Sequence, residues 1–138
     1  MEFTIHFATI NLLVVFGATV AALLLGGFWY SPAFLGKPWR RASGIPVTGD
    51  QIPNPVGTFT AGFFFQLLAA SMLAGLMGPT ATGIEGLQLG MLLAFSFVMT
   101  ALAIVNLFER RPRILIAIHS CYNIVSFGLM GFIIGQWS

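Results

Sequence analysis

Charge is what this sequence has least of: six Lys or Arg and four Asp or Glu among 138 residues, 7% in all. A soluble domain carries about 25% charged residues, so this chain has too few to cover a water-exposed surface. With 57% hydrophobic residues and a mean hydropathy of +0.92, disorder and an ordinary cytosolic enzyme are excluded. Cysteine is almost missing as well. Cys121 stands alone, which excludes an intramolecular disulfide and a dithiol redox pair. The basic residues form no long run, so nucleic acid is not an expected partner. Met1-Glu2-Phe3 lacks the basic segment that opens a secretory signal, and the apolar run after it reads as a retained helix.

What is present is apolar sequence in four blocks. A spanning helix needs about 20 mostly apolar residues, and stretches 5–30, 58–77, 83–108 and 112–137 meet this. The expected fold class is all-α: one integral membrane domain over residues 1–138, a four-helix bundle with both termini outside and a long first inner loop. Gly78-Pro79 is a helix stop, Thr82 to Glu85 has capping-box spacing, and Pro112 suits a first helical turn. The first connection, 31–57, holds Pro32, Pro38, Pro46, Pro53 and Pro55, which forbid one continuous helix. Within it, residues 38–44 have the pattern of a short interfacial helix, proline first and glycine last.

Orientation follows from the cations. Lys37, Arg40 and Arg41 lie in the first connection and Arg110, Arg111 and Arg113 in the third. Both connections fall on one side of a four-span chain, and the positive-inside rule makes that side cytoplasmic. Trp29, Tyr30, Lys37 and Trp39 then read as an interfacial anchor, aromatic rings at the head-group level with a lysine reaching phosphate.

Small residues recur at four-residue spacing in the first three blocks and again in the fourth. They are Ala18, Ala22 and Gly26; Ala70, Ala74 and Gly78; Gly86, Gly90 and Ala94; Gly131 and Gly135. Such stripes let helix backbones approach closely in lipid. They serve either the bundle itself or association with a second copy or a larger membrane complex.

Polar side chains at membrane depth are costly unless paired, and so are the first candidates for function. His119, Asn123 and Ser126 share one helix face at i, i+4 and i+7. Folding the last two spans as a hairpin brings His119 level with Thr100 and Asn123 level with Ser96, with Gln66 at similar depth. A cluster of Gln66, Ser96, Thr100, His119 and Asn123 is therefore expected. It reads as a register-fixing network, as a binding or conduction site, or least simply as a catalytic centre, since His119 has no partner carboxylate or thiolate at its depth. No catalytic residue is assigned. No metal or other cofactor is expected, because His6 and His119 lie at opposite depths and Cys121 faces away from His119. Asn106, Glu109, Arg110, Arg111 and Arg113 form a second polar group, read as a solvated turn contacting anionic lipid.

Gly27-Phe28-Trp29-Tyr30-Ser31-Pro32, followed by Phe34-Leu35-Gly36-Lys37-Pro38-Trp39, resembles a known family. Asn106-Leu107-Phe108, Tyr122 and the run from Gly131 through Gly135 to Trp137 add to the likeness. It is similar to the bacterial membrane family catalogued as domain of unknown function 1761. The resemblance implies a four-span fold in the bacterial inner membrane and carries over no catalytic residue. The family pattern places His after the last-helix Tyr; here Asn123 follows Tyr122. The expected function is that of a non-enzymatic accessory or assembly subunit, in contact with the bilayer and other membrane components. The alternative is a small oligomeric transporter or channel with His119 as a proton-linked polar site.

Overall fold

The computed structural model describes residues 5–44 and 55–137; Glu2, Pro46, Asp50 and Pro53 lie outside them. The described residues form helices α1 (Leu12–Trp29), α2 (Gly36–Ser43), α3 (Pro55–Met77), α4 (Gly83–Leu93), α5 (Met99–Phe108) and α6 (Ile114–Trp137), with no strand. A five-residue π-helical turn, Ala94–Val98, joins α4 to α5, so the two run on as one span. Four stretches are long and apolar enough to cross a membrane: Leu12–Trp29, Pro55–Met77, Gly83–Phe108 and Ile114–Trp137. The fold is thus the all-α membrane type with four spans.

Three of the four spans start at a different residue from the sequence reading, each for a local reason. The first span begins at Leu12 rather than residue 5, because the Asn11 side chain accepts from the Leu13 and Val14 N–H groups at 3.2 and 3.3 Å. That is an N-cap, and it fixes where the helix starts. The residues before it make a 3-10 turn, Phe7–Thr9, laid on α3, where the His6 N–H donates to the Gly75 carbonyl at 2.8 Å. Ile5 and Phe7 occupy the space that a side chain at position 75 would need. The second span begins at Pro55, three residues early, since proline's missing donor costs nothing in a first turn. The fourth begins at Ile114, after a lead-in turn in which the Pro112 and Arg113 carbonyls accept from Leu115 and Ile116.

The helix stops and caps fall where the sequence puts them. Gly78 takes a left-handed φ of 76° at the end of α3, and Thr82 and Glu85 close a reciprocal capping box at 3.2 and 3.0 Å. The short helix in the first connection stops at Gly44, φ 78°, as expected, but it begins at Gly36, so Pro38 is its third residue rather than its first.

Helix α6 is the centre of the bundle and touches α1, α2, α3, α4 and α5, most extensively α4. The small-residue stripes meet face to face there. A methyl group at Gly86 or at Gly131 would run into the other's backbone carbonyl, and Gly90 lies as close to the Phe127 carbonyl. Close approach of this kind brings Cα–H groups onto facing carbonyls and maximises dispersion contact where lipid offers no hydrophobic driving force. On the other flank Ala18 and Ala22 of α1 and Ala70 of α3 are fully buried with Val15, Leu73, Met130 and Ile134.

The π turn re-aims the helix beyond it. One extra residue in a turn rotates the later faces by about 100° relative to a uniform helix. Continuing the buried stripe Gly86, Gly90, Ala94 in a regular helix would turn Ala101 and Val105 inward; here both are exposed, and Asn106 is buried with Leu102 half-buried.

Candidate functional site

Three aromatic side chains tie the end of α1 to α6. Trp29 Nε1–H donates to the Ile118 carbonyl at 3.1 Å, Tyr122 Oη–H donates to the Ala22 carbonyl at 2.9 Å, and Tyr30 Oη lies 2.6 Å from His119 Nδ1. The Trp29 and Tyr122 donors are satisfied inside the protein, which a low-dielectric setting requires. Gly26 makes room for the Tyr122 hydroxyl, 3.0 Å from where a Cβ would stand. Tyr30 in turn carries Trp39 edge-on at 4.9 Å and Tyr122 at 5.6 Å between ring centres.

The chain reversal after α1 positions this group. Ser31 Oγ–H donates to the Phe28 carbonyl at 2.6 Å, and the Leu35 and Gly36 N–H groups donate to Trp29 and Ser31 carbonyls at 3.0 and 2.8 Å. A Cβ at Gly36 would meet the Tyr30 and Ser31 backbone, so only glycine allows the turn to close this tightly. The turn delivers α2, with Trp39 and Arg40, over the α1–α6 contact.

A cavity of about 370 Å³ lies there, lined by Leu23, Gly26, Gly27, Tyr30, Trp39, Arg40, Phe59, Tyr122 and His119. A second, of about 80 Å³, lies on the α5 side and is lined by Leu102, Val105, Asn106, Glu109, Arg111, Leu115, Ile116 and again His119. Burial first, and then the neighbouring Tyr122, push the Tyr30 phenol above its usual titration range, so it is a neutral hydrogen-bonding group at physiological pH.

The five-residue cluster expected from the sequence does not assemble as one network. Gln66 Nε2 donates to Ser126 Oγ at 3.0 Å, a bond from α3 to α6, about 10 Å along the helix axis from His119. Asn123 Nδ2 donates to the His119 carbonyl at 2.8 Å within its own helix. Thr100 is exposed, and its hydroxyl donates back to the Ser96 and Phe97 carbonyls of its own span at 2.9 and 3.1 Å. The π turn is the reason, since it turns Asn106 toward α6 in place of Thr100's neighbours. Of the anchor residues, Trp29, Tyr30 and Trp39 turn onto α6 and one another, while Lys37 is exposed. Sequence reasoning assigned no site role to Tyr122, Arg40 or Phe59. The signal within reach was Gly26 and Tyr122 as a small–large pair on facing helices.

Residues 13–135 match the family described as a protein of unknown function, DUF1761. The chain belongs to this family. No curated protein and no solved structure matches it. In this DUF1761 protein the run from Gly27 to Trp39 is therefore a folded unit. It ends α1, reverses the chain and lays α2 beside His119.

Proposed function

We propose that this protein is a membrane-embedded binding protein for an anionic amphiphile. The head group would sit at the Tyr30–His119 pair and the apolar part along Leu23, Gly26, Gly27 and Phe59. The observation that carries the reading is that hydrogen-bonded pair, in the wall of a cavity of about 370 Å³ lined mostly by aromatic and apolar groups. Such a lining, with few convergent polar groups, is the usual make-up of a small-molecule site. Charge favours an anion: all six cations of the chain belong to the two connections at this end, against Asp50 and Glu109. By the positive-inside rule this end is cytoplasmic and both termini are outside, and the family resemblance suggests a bacterial inner membrane.

Binding of this kind is the capture step of a small transporter. The accessory-subunit reading has less support than the sequence lent it, because the small-residue stripes meet inside the bundle. Association with a larger membrane complex or a second copy would have to use other faces. His119 acts here as a group that holds a ligand, not as the acid or base of a reaction.

Titration of the purified protein with dodecanoate, dodecyl phosphate and dodecanol, read by Trp29 and Trp39 fluorescence, tests this. Saturable binding of the anions, weakened about tenfold (~1.4 kcal/mol) by His119→Ala or Tyr30→Ala, is expected. The preferred anion separates a fatty-acid ligand from a phospholipid-like one. Equal, unsaturable partitioning of all three into wild type and variants would sink the reading.

A further inference from the structure

His119 lines both cavities. Its Nδ1 edge is taken by Tyr30, which faces the larger cavity. His119 shares the wall of the smaller cavity with Asn106, which is 8% exposed and whose Oδ1, an acceptor, has no hydrogen-bond partner. A buried acceptor without a donor is costly. A cavity of about 80 Å³ is several times the ~10–15 Å³ that one water needs, and polar walls favour filling it. Water between Asn106 Oδ1 and the imidazole satisfies both if His119 carries its hydrogen on Nε2. That tautomer leaves Nδ1 as an acceptor for the Tyr30 hydroxyl.

Building on the anionic-amphiphile reading, we infer that His119 takes up a proton when an anionic head group enters the larger cavity, with the smaller cavity as the hydrated pocket that supports the imidazolium. The Tyr30 O–H turns from Nδ1 to the anion, and Nδ1 forms an N–H bond with a proton supplied by solvent. The new Nδ1–H then donates to Tyr30 Oη, while Nε2–H continues to donate toward the water beside Asn106 Oδ1. One positive charge thus appears between the ligand's negative charge and Glu109, so the gain of a proton offsets the burial of an anion. The groups facing His119 are Tyr30 at the end of α1, Arg40 of α2, Tyr122 of α6 itself, Glu109 after α5 and Arg111 in the turn. Glu109 and the anion favour the imidazolium. Arg40 and Arg111 oppose it, which makes the proton wait for the ligand rather than precede it.

The test is calorimetric binding of submicellar dodecane sulfonate, whose head group does not titrate, in two buffers of different ionisation enthalpy. Wild type is expected to take up close to one proton per ligand, with affinity falling by up to about tenfold per pH unit as pH rises through the imidazole's titration. His119→Gln should take up none and show a flat pH profile. Asn106→Leu, which removes the orphaned acceptor without touching the larger cavity, should cut the uptake at least by half. Saturable binding with the same apparent enthalpy in both buffers overturns the proton uptake and leaves the anion site standing. Uptake unchanged in Asn106→Leu overturns the role of the smaller cavity and with it the inference. Absence of saturable binding, seen independently by tryptophan fluorescence, removes the anion site and the proton uptake together.

Discussion

Tyr30 shows how one residue can serve the fold and the site at once. Its ring fills the gap between Trp39 and Tyr122, and its hydroxyl meets His119. Tyr30→Phe should therefore cost about 1 kcal/mol at neutral pH, the net worth of one hydrogen bond, read as a lower unfolding midpoint in mild detergent. Because the folded phenol titrates above its unfolded value of about 10, the unfolded chain ionises first. Stability from this residue is complete below that pH and is lost as pH rises above it. The alkaline fall in stability should be shallower in Tyr30→Phe. Arg110 is a second residue-scale feature, since it holds a left-handed φ of 58° in the turn that ends α5, where the Arg111 N–H donates to the Asn106 carbonyl at 3.1 Å. A side chain is strained there, and Arg110→Gly is expected to raise stability by about 0.5–1 kcal/mol, measured by thermal unfolding.

Among the elements, the contact of α4 with α6 rests on backbone approaching backbone at Gly86, Gly90 and Gly131. Gly131→Leu cannot be absorbed by a rotamer change, because the obstacle is a carbonyl. It should destabilise the protein by well over ~2 kcal/mol, or leave it aggregated in detergent, whereas Gly17→Ala, with open space around it, should change little. The stripe was readable from spacing alone, and its partner across the interface was not. The π turn belongs to this scale too. Deleting Ser96 is expected to restore a regular helix and turn Asn106 away from α6. A cysteine at position 106 should then become more reactive to a lipid-phase thiol reagent than in the parent chain. No change in reactivity would show that the π turn does not set the face of α5.

For the molecule as a whole, the asymmetry of charge is the feature with the widest consequence. All six cations belong to one end, the same end at which both cavities lie. A reporter fused after the last residue is expected to be active only outside the cytoplasm, and one inserted at Gly44 only inside it. The opposite pattern would reverse the orientation and put the cavities on the outer face. Apolar run length and local motifs were enough to establish four spanning helices, the stop at Gly78, the capping box at Thr82 and the end that carries the charge, because these depend on local chain chemistry and on the bilayer as solvent. Which polar groups meet was decided only by tertiary structure. Tyr30 reaches His119 across 89 residues of sequence because α1 packs along α6, and Asn106 comes to the cavity it shares with His119 through the rotation of α5 by a one-residue π insertion. Neither the reach nor the rotation is a property of any single segment.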